Sequence, residues 1–168
     1  MKVQRLEHSR PEVAEELRAL CVASYRVERD LLGLREFPPL QRTAEQLAAA
    51  RESTYFGIRA PAGDPASGGL VAALELEPGT SAPLHVGTLV VHPRHFRRGL
   101  ATRLLQHAIQ QAGARPLSVS TAHANTPALR LYEGLGFREH ERWSTTDDLA
   151  MVTLLRPGLS QARDLLDG

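Results

Sequence analysis

The sequence predicts an α/β sandwich built on a mixed sheet, and two observations carry this. Apolar residues switch between alternating and helical spacing along the chain, in the order β α α β β β α β α β β. Three of the strands follow one another as hairpins, whereas later strands are separated by helices, so the sheet must mix antiparallel and parallel neighbours. The length of 168 residues suits one domain with a full-sized core. That domain is read as residues 1–156, followed by a short tail over 157–168 that can fray.

The first strand is expected over Val3 to Glu7, where apolar and polar residues alternate. Ser9, Arg10, Pro11 and Glu12 then match S-x-x-E, which predicts a capping box and a helix. Val13, Leu17, Leu20, Cys21 and Ser24 or Tyr25 form its apolar face, and Cys21 is read there as core, with no acid or base partner in view. Arg26 to Leu40 reads as a charged, irregular segment closed by Phe37, Pro38 and Pro39. Thr43 to Gln46 repeats the capping-box pattern and opens a short helix to about Arg51. Strands are expected over Thr54 to Ala60 and Leu70 to Leu76, with a loop of Gly, Pro and Ser between them. Pro78 to Pro83 reads as a turn.

The stretch that organises the chain follows. Leu84 to Val91 is a strand that Pro93 ends, since proline brings no N–H to a ladder. A basic loop leads to Gly99, which opens a helix whose stripe is Leu100, Ala101, Leu104, Leu105, Ala108, Ile109 and Ala112. Gly113 stops it, with Pro116 just beyond. Leu117 to Thr121 is the next strand. A helix over Thr126 to Leu135 is capped by Asn125 or Thr126, with Pro127 in its first turn. Phe137 to Trp143 and Leu149 to Leu155 are the last strands.

The physics of the Gly99 unit is anion binding. First-turn N–H groups have no partner inside the helix, carry the positive end of its dipole, and can be approached closely where glycine leaves no side chain. From Pro78 to Tyr132 there is no Asp or Glu, while Arg94, Arg97, Arg98, Arg103, Arg115 and Arg130 fall inside that window. The basic character is local, because the net charge is only +1. A nucleic-acid partner is therefore not expected, the patch being narrow and without interleaved aromatics. A lone cysteine allows no intrachain disulfide, and the charged N-terminus lacks the apolar core of a signal peptide. With no long apolar run, the expectation is a cytoplasmic protein with no membrane partner. His92 and His95 are spaced H-x-x-H in a loop without a third ligand, so solvated surface histidines and no metal site are expected.

A second motif joins the first. Val91, Pro93, Gly99 and Ala101 fit V-x-P-x-x-Q/R-x-x-G-x-G/A, and Asn125, Ala128, Leu131, Tyr132, Gly136 and Phe137 fit N-x-x-A/S-x-x-L/F-Y-x-x-x-G-F. With both in order and a strand between, residues 54–155 resemble the Gcn5-related N-acetyltransferase (GNAT) superfamily. One position departs, since Phe96 stands where the family has Gln or Arg. The resemblance implies a mostly antiparallel central sheet of six or seven strands with about four helices, splayed between the fourth and fifth strands. It implies acetyl-CoA or another acyl-CoA as donor, without a metal. Leu89, Val90 and Val91 would meet the pantetheine arm, Arg97, Arg98, Gly99, Leu100, Ala101 and Thr102 the pyrophosphate, Asn125 the pantetheine or a nearby water, and Tyr132 the thioester sulfur.

The reaction so implied is direct transfer of the acetyl group to a primary amine of a small molecule or peptide. It needs a base for the ammonium, an oxyanion donor and an acid for the leaving sulfur. Tyr132 is the candidate acid, and a backbone N–H at or beside Val91 the candidate oxyanion donor. The base is open: His85 shares a face with Leu89 if no bulge intervenes, and Glu75 and Glu77 on the preceding strand are rivals. Glu28, Asp30 and Glu36 would attract a cationic acceptor, and Arg26, Arg29 and Arg35 a carboxylate. A non-catalytic acyl-CoA-binding or regulatory domain would keep Gly99 and Ala101 without needing the acid, so the retained Tyr132 favours an enzyme. A homodimer is common among similar proteins.

Overall fold

The computed structural model describes residues 1–78 and 83–159. The turn read over Pro78 to Pro83 falls largely on residues 79–82, outside the described residues, and so does most of the tail, residues 160–168. Seven strands form one sheet in the order β1-β2-β3-β4-β5-β7-β6. They are β1 (Val3–Leu6), β2 (Thr54–Arg59), β3 (Leu70–Glu77), β4 (Leu84–Val91), β5 (Leu117–Ala122), β6 (Arg138–Ser144) and β7 (Ala150–Arg156). Every neighbouring pair is antiparallel except β4 and β5, which are parallel. The mixed, mostly antiparallel sheet is thus the predicted one.

Among the described residues, four α-helices cover the two faces: α1 (Pro11–Leu31), α2 (Ala44–Ala49), α3 (Leu100–Ala112) and α4 (Thr126–Gly134). Strand alternation sorts the core. Tyr55, Ala73 and Val90 pack with Leu17, Leu20 and Leu47 of α1 and α2. Phe56, Ile58, Ala72, Leu74 and Val86 pack with the Leu100, Leu104, Leu105 and Ala108 stripe of α3 and with Tyr132 of α4. Each face is buried because period 2 in the strands meets period 3.6 in the helices.

Two local expectations change. The capping box at Ser9 does not form; Arg10 is the N-cap, without a side-chain cap, and Pro11 begins the helix. Thr43 does form one, accepting from Gln46 N at 3.1 Å while Gln46 Oε1 accepts from Thr43 N at 2.9 Å. The segment read as irregular from Arg26 is helical to Leu31, because the stripe of Leu17, Leu20, Cys21 and Ser24 continues through Glu28 and Leu31 at helical spacing. The carboxylate in that stripe hid the continuation. Cys21 is buried as expected, and burial pushes its thiol up to about 11.

Candidate active site

Strands β4 and β5 begin as partners and then separate. Leu84, His85 and Val86 pair with Leu117, Ser118 and Val119, and beyond them the strands have no shared register. The edge of β4 toward β5 is therefore open from Gly87 to Val91. His92 N donates to Val71 O at 2.8 Å, on the β3 side. Successive strand amides alternate between edges, so Val90 also faces β3 while the N–H and C=O groups of Leu89 and Val91 face the open edge. Val90 departs from the sequence reading in this respect: its backbone belongs to the sheet and its side chain to the α1 face.

At the end of β4 the chain turns through Pro93–His95 and reaches Gly99, which caps α3 with φ +74°. Gly99 offers no side-chain cap, and the first N–H to bond back is that of Arg103, to Gly99 O at 3.0 Å. A Cβ at Gly99 would meet no atom within 4 Å. The N–H groups of Leu100, Ala101 and Thr102 thus lie, without a side-chain cap, at the positive end of a 13-residue helix, an arrangement chemically suited to an anion. Arg97 stands beside that N-terminus with φ +62°, a left-handed conformation that fits a tightly turned loop.

The N-terminus of α3 and the open strand edge share one cavity of about 920 Å³. Leu89, Val91, Arg97, Gly99, Leu100, Ala101 and Thr102 line it at one end. Asn125 and Tyr132 of the α4 region line it as well, as does Phe96, which is 39% exposed. Arg98 does not line it; its Nη1 lies 3.9 Å from Asp64.

Tyr132 is 6% exposed and packs against Phe137, ring centroids 5.8 Å apart. Burial, then the charge of Glu28, pushes its phenol well above the ordinary value, so the hydroxyl keeps its proton. Asn125 caps α4, its Oδ1 accepting from Ala128 N at 3.3 Å, and its Nδ2 donates to Glu28 Oε1 at 3.2 Å. Glu28, on α1, also lines the cavity. Burial pushes its carboxyl up, partly offset by the hydrogen bond from Asn125.

The three base candidates taken from the strands, His85, Glu75 and Glu77, stand elsewhere. Glu77 pairs with His85 and Glu75 with Thr88, but Leu76 pairs with Val86, which leaves Gly87 as an extra residue in a bulge. The bulge puts His85 on the face of Glu75 and Thr88, opposite Leu89, so the condition for a shared face fails. His85 Nδ1 is 2.8 Å from Ser118 Oγ, and His85 does not line the cavity. Glu75 is 1% exposed, bound by both Arg42 nitrogens (2.7 and 3.1 Å) and by the Thr88 hydroxyl (2.8 Å). Burial pushes its carboxyl up, but hydrogen bonds led by that of Arg42 outweigh this and hold it below the usual range. Neither Glu75 nor Glu77 lines the cavity. Among the H-x-x-H histidines, the surface expectation fails for His95, which is 2% exposed with Nε2 on Asp64 Oδ2 at 3.0 Å.

Glu28 is the site residue that the sequence reading placed in a loop. Its signal was available, as a carboxylate at a position that extends the apolar stripe of α1. No group of three potential metal-binding side chains occurs among the described residues. No helix among them is long and apolar enough to cross a membrane.

Comparison with known proteins agrees with this geometry. Residues 15–137 match the family model described as "Acetyltransferase (GNAT) family". A curated Bacillus subtilis (strain 168) relative, "UPF0157 protein YqkA", is 31% identical over 140 residues, covering 83% of this chain but only 38% of the relative. The chain therefore spans well under half the length of that relative. Among solved structures, the ribosomal-protein-S18-alanine N-acetyltransferase from Escherichia coli superposes with a TM-score of 0.68 at 19% identity, covering 93% of this chain and 92% of that one. An aminoglycoside 6'-N-acetyltransferase complexed with coenzyme A gives a TM-score of 0.68 at 13% identity, covering 94% and 97%.

Proposed function

The chain belongs to the acetyltransferase (GNAT) family, and from that premise we propose that it is an N-acetyltransferase that uses acetyl-CoA to acetylate a primary amine. One observation carries the reading: the uncapped N-terminus of α3, the open edge of β4 and Tyr132 all belong to one cavity. The residues present fit an acyl-CoA. First-turn N–H groups with Arg97 beside them suit a pyrophosphate, and the Leu89 and Val91 backbone suits a pantetheine arm added as a strand. When bound, the thioester supplies an activated acetyl group.

The protein's part is to position and to manage protons. The backbone of β4 holds the carbonyl, with the Val91 N–H on the open edge to meet charge that develops on oxygen. An unprotonated amine forms the new N–C bond while the C–S bond breaks, sulfur keeping the electron pair and taking the proton of Tyr132. The nitrogen sheds a proton, and Tyr132 regains one from solvent. A buried thiolate without that proton would be costly, which is where a buried, protonated phenol acts.

The test is calorimetric titration with acetyl-CoA beside desulfo-CoA and ATP, followed by thiol-release assays. Binding of acetyl-CoA well above that of ATP is expected. A chain that binds neither acetyl-CoA nor longer acyl-CoAs would overturn the proposal.

A further inference from the structure

We propose that Glu28 is the carboxylate on which the acceptor's ammonium docks and loses its proton, and that the acceptor is a primary amine on an apolar body with no carboxylate beside the amine. The inference rests on the acetyl-transfer reading and concerns the other half of the same cavity. The cavity is also lined by Leu31, Leu34, Phe37, Leu149 and Met151, which come from other elements than the α3 N-terminus and suit an apolar body.

Charge on the walls is one-sided. Glu28, Glu36 and Asp147 line the cavity, and among the described lining residues the one guanidinium is that of Arg97, in the loop beside the N-terminus of α3. A carboxylate beside the acceptor's amine would meet three carboxylates against the single guanidinium of Arg97 among the described lining residues. An ammonium would meet an unpaired carboxylate.

The contrast with Glu75 identifies which carboxylate is available. Glu75 is saturated by Arg42 and Thr88. Among the described residues Glu28 is half-buried, has no cationic side chain within ion-pair distance, and accepts one side-chain hydrogen bond, from Asn125 Nδ2. A carboxylate drawn partly out of water and left without a cation gains most from a cationic ligand. Asn125 fixes Glu28 to the N-cap of α4, the helix that also carries Tyr132. Docking group and proton donor are thus tied to one rigid element. In the proton step, an N–H bond of the ammonium breaks, the proton moves to a Glu28 oxygen, and the lone pair stays on nitrogen. Tyr25, Glu36, His95, Arg97, Tyr132 and Asp147 are the other titratable or charged side chains facing the cavity. Burial raises the Glu28 carboxyl, which brings its proton affinity closer to that of an amine.

The probe is 2-phenylethylamine, with L-phenylalanine and 2-phenylethanol as controls, titrated into the protein saturated with desulfo-CoA. The amine should bind at least about tenfold more tightly than either control, the difference expected for a charge-assisted contact in a half-buried site. Glu28→Gln, close to isosteric and able to keep the bond to Asn125, should weaken amine binding about tenfold and leave acetyl-CoA binding unchanged. Its thiol-release rate with the amine should fall by about 10²-fold and recover as pH rises toward the amine's own pKa. Glu28→Asp should keep KM near wild type and lose kcat, because charge remains but reach shortens. Three results would each overturn the inference and leave the donor reading standing: equal amine binding by wild type and Glu28→Gln, phenylalanine binding as tight as the amine, or no amine binding by a wild type that binds acetyl-CoA. A wild type that binds no acyl-CoA overturns both.

Discussion

Replacing Arg42 by Met separates structure from catalysis at Glu75. The guanidinium holds both oxygens of a carboxylate that is 1% exposed, at 2.7 and 3.1 Å. Removing it leaves that charge with the Thr88 hydroxyl and nothing cationic. Breaking a fully buried pair costs about 3–5 kcal/mol; Arg42 itself is 34% exposed, so water can partly replace it and the lower figure, about 3 kcal/mol, applies. At roughly 2–4 °C per kcal/mol for a chain of this size, Tm should fall by roughly 6–12 °C. Replacing both partners, Arg42→Met with Glu75→Leu, should return stability to within about 1 kcal/mol of wild type, because the uncompensated charge is gone.

The pH dependence follows from the depressed Glu75 carboxyl. Its stabilisation is fully present above the unfolded value of about 4.3 and is lost as pH falls through its lower native value. The gap between wild type and Arg42→Met should therefore close in acid. The assay is urea unfolding followed by fluorescence at pH 7 and again near pH 3. A single variant that loses less than about 1 kcal/mol, or a double variant no more stable than the single, would refute the account.

Other outcomes can be checked alongside. Tyr132→Phe should lower the thiol-release rate by about 10²-fold while acetyl-CoA affinity stays within about twofold, measured by steady-state kinetics and calorimetry. Gly99→Ala should cost about 1 kcal/mol in thermal unfolding, because alanine resists φ +74° although its methyl has room. It should also weaken acetyl-CoA binding by re-aiming the first-turn N–H groups. Cys21, with its thiol at about 11, should resist iodoacetamide at pH 8 in the native chain and react only on unfolding, as read by mass spectrometry.

Much of the local geometry from β4 into α3 was legible in the chain. Pro93, Gly99 and the stripe from Leu100 to Ala112 act through local rules: a missing N–H, a positive φ and a 3.6-residue period. The part of the cavity around Glu28 was not legible in the same way. The helix over Arg26 to Leu31 was missed because charged residues interrupt its stripe, yet Glu28 is tolerated there because it faces a cavity and Asn125, 97 residues away, donates to it. His85 was misjudged because one extra residue at Gly87 reverses strand parity, and a bulge depends on the pairing partner β3, not on β4 alone.

The sequence by itself determined the order of the elements, the glycine-opened start of α3 and the motif spacing that brings Tyr132 to the same cavity, since each depends on neighbours a few residues apart or on a motif spacing. Only the tertiary structure decided which carboxylates are free. Glu75 and Glu28 look alike in one dimension. The fold brings Arg42 to Glu75 and turns Glu28 into the cavity beside Asn125. The availability of a charge is a property of what surrounds it, and those surroundings come from distant parts of the chain.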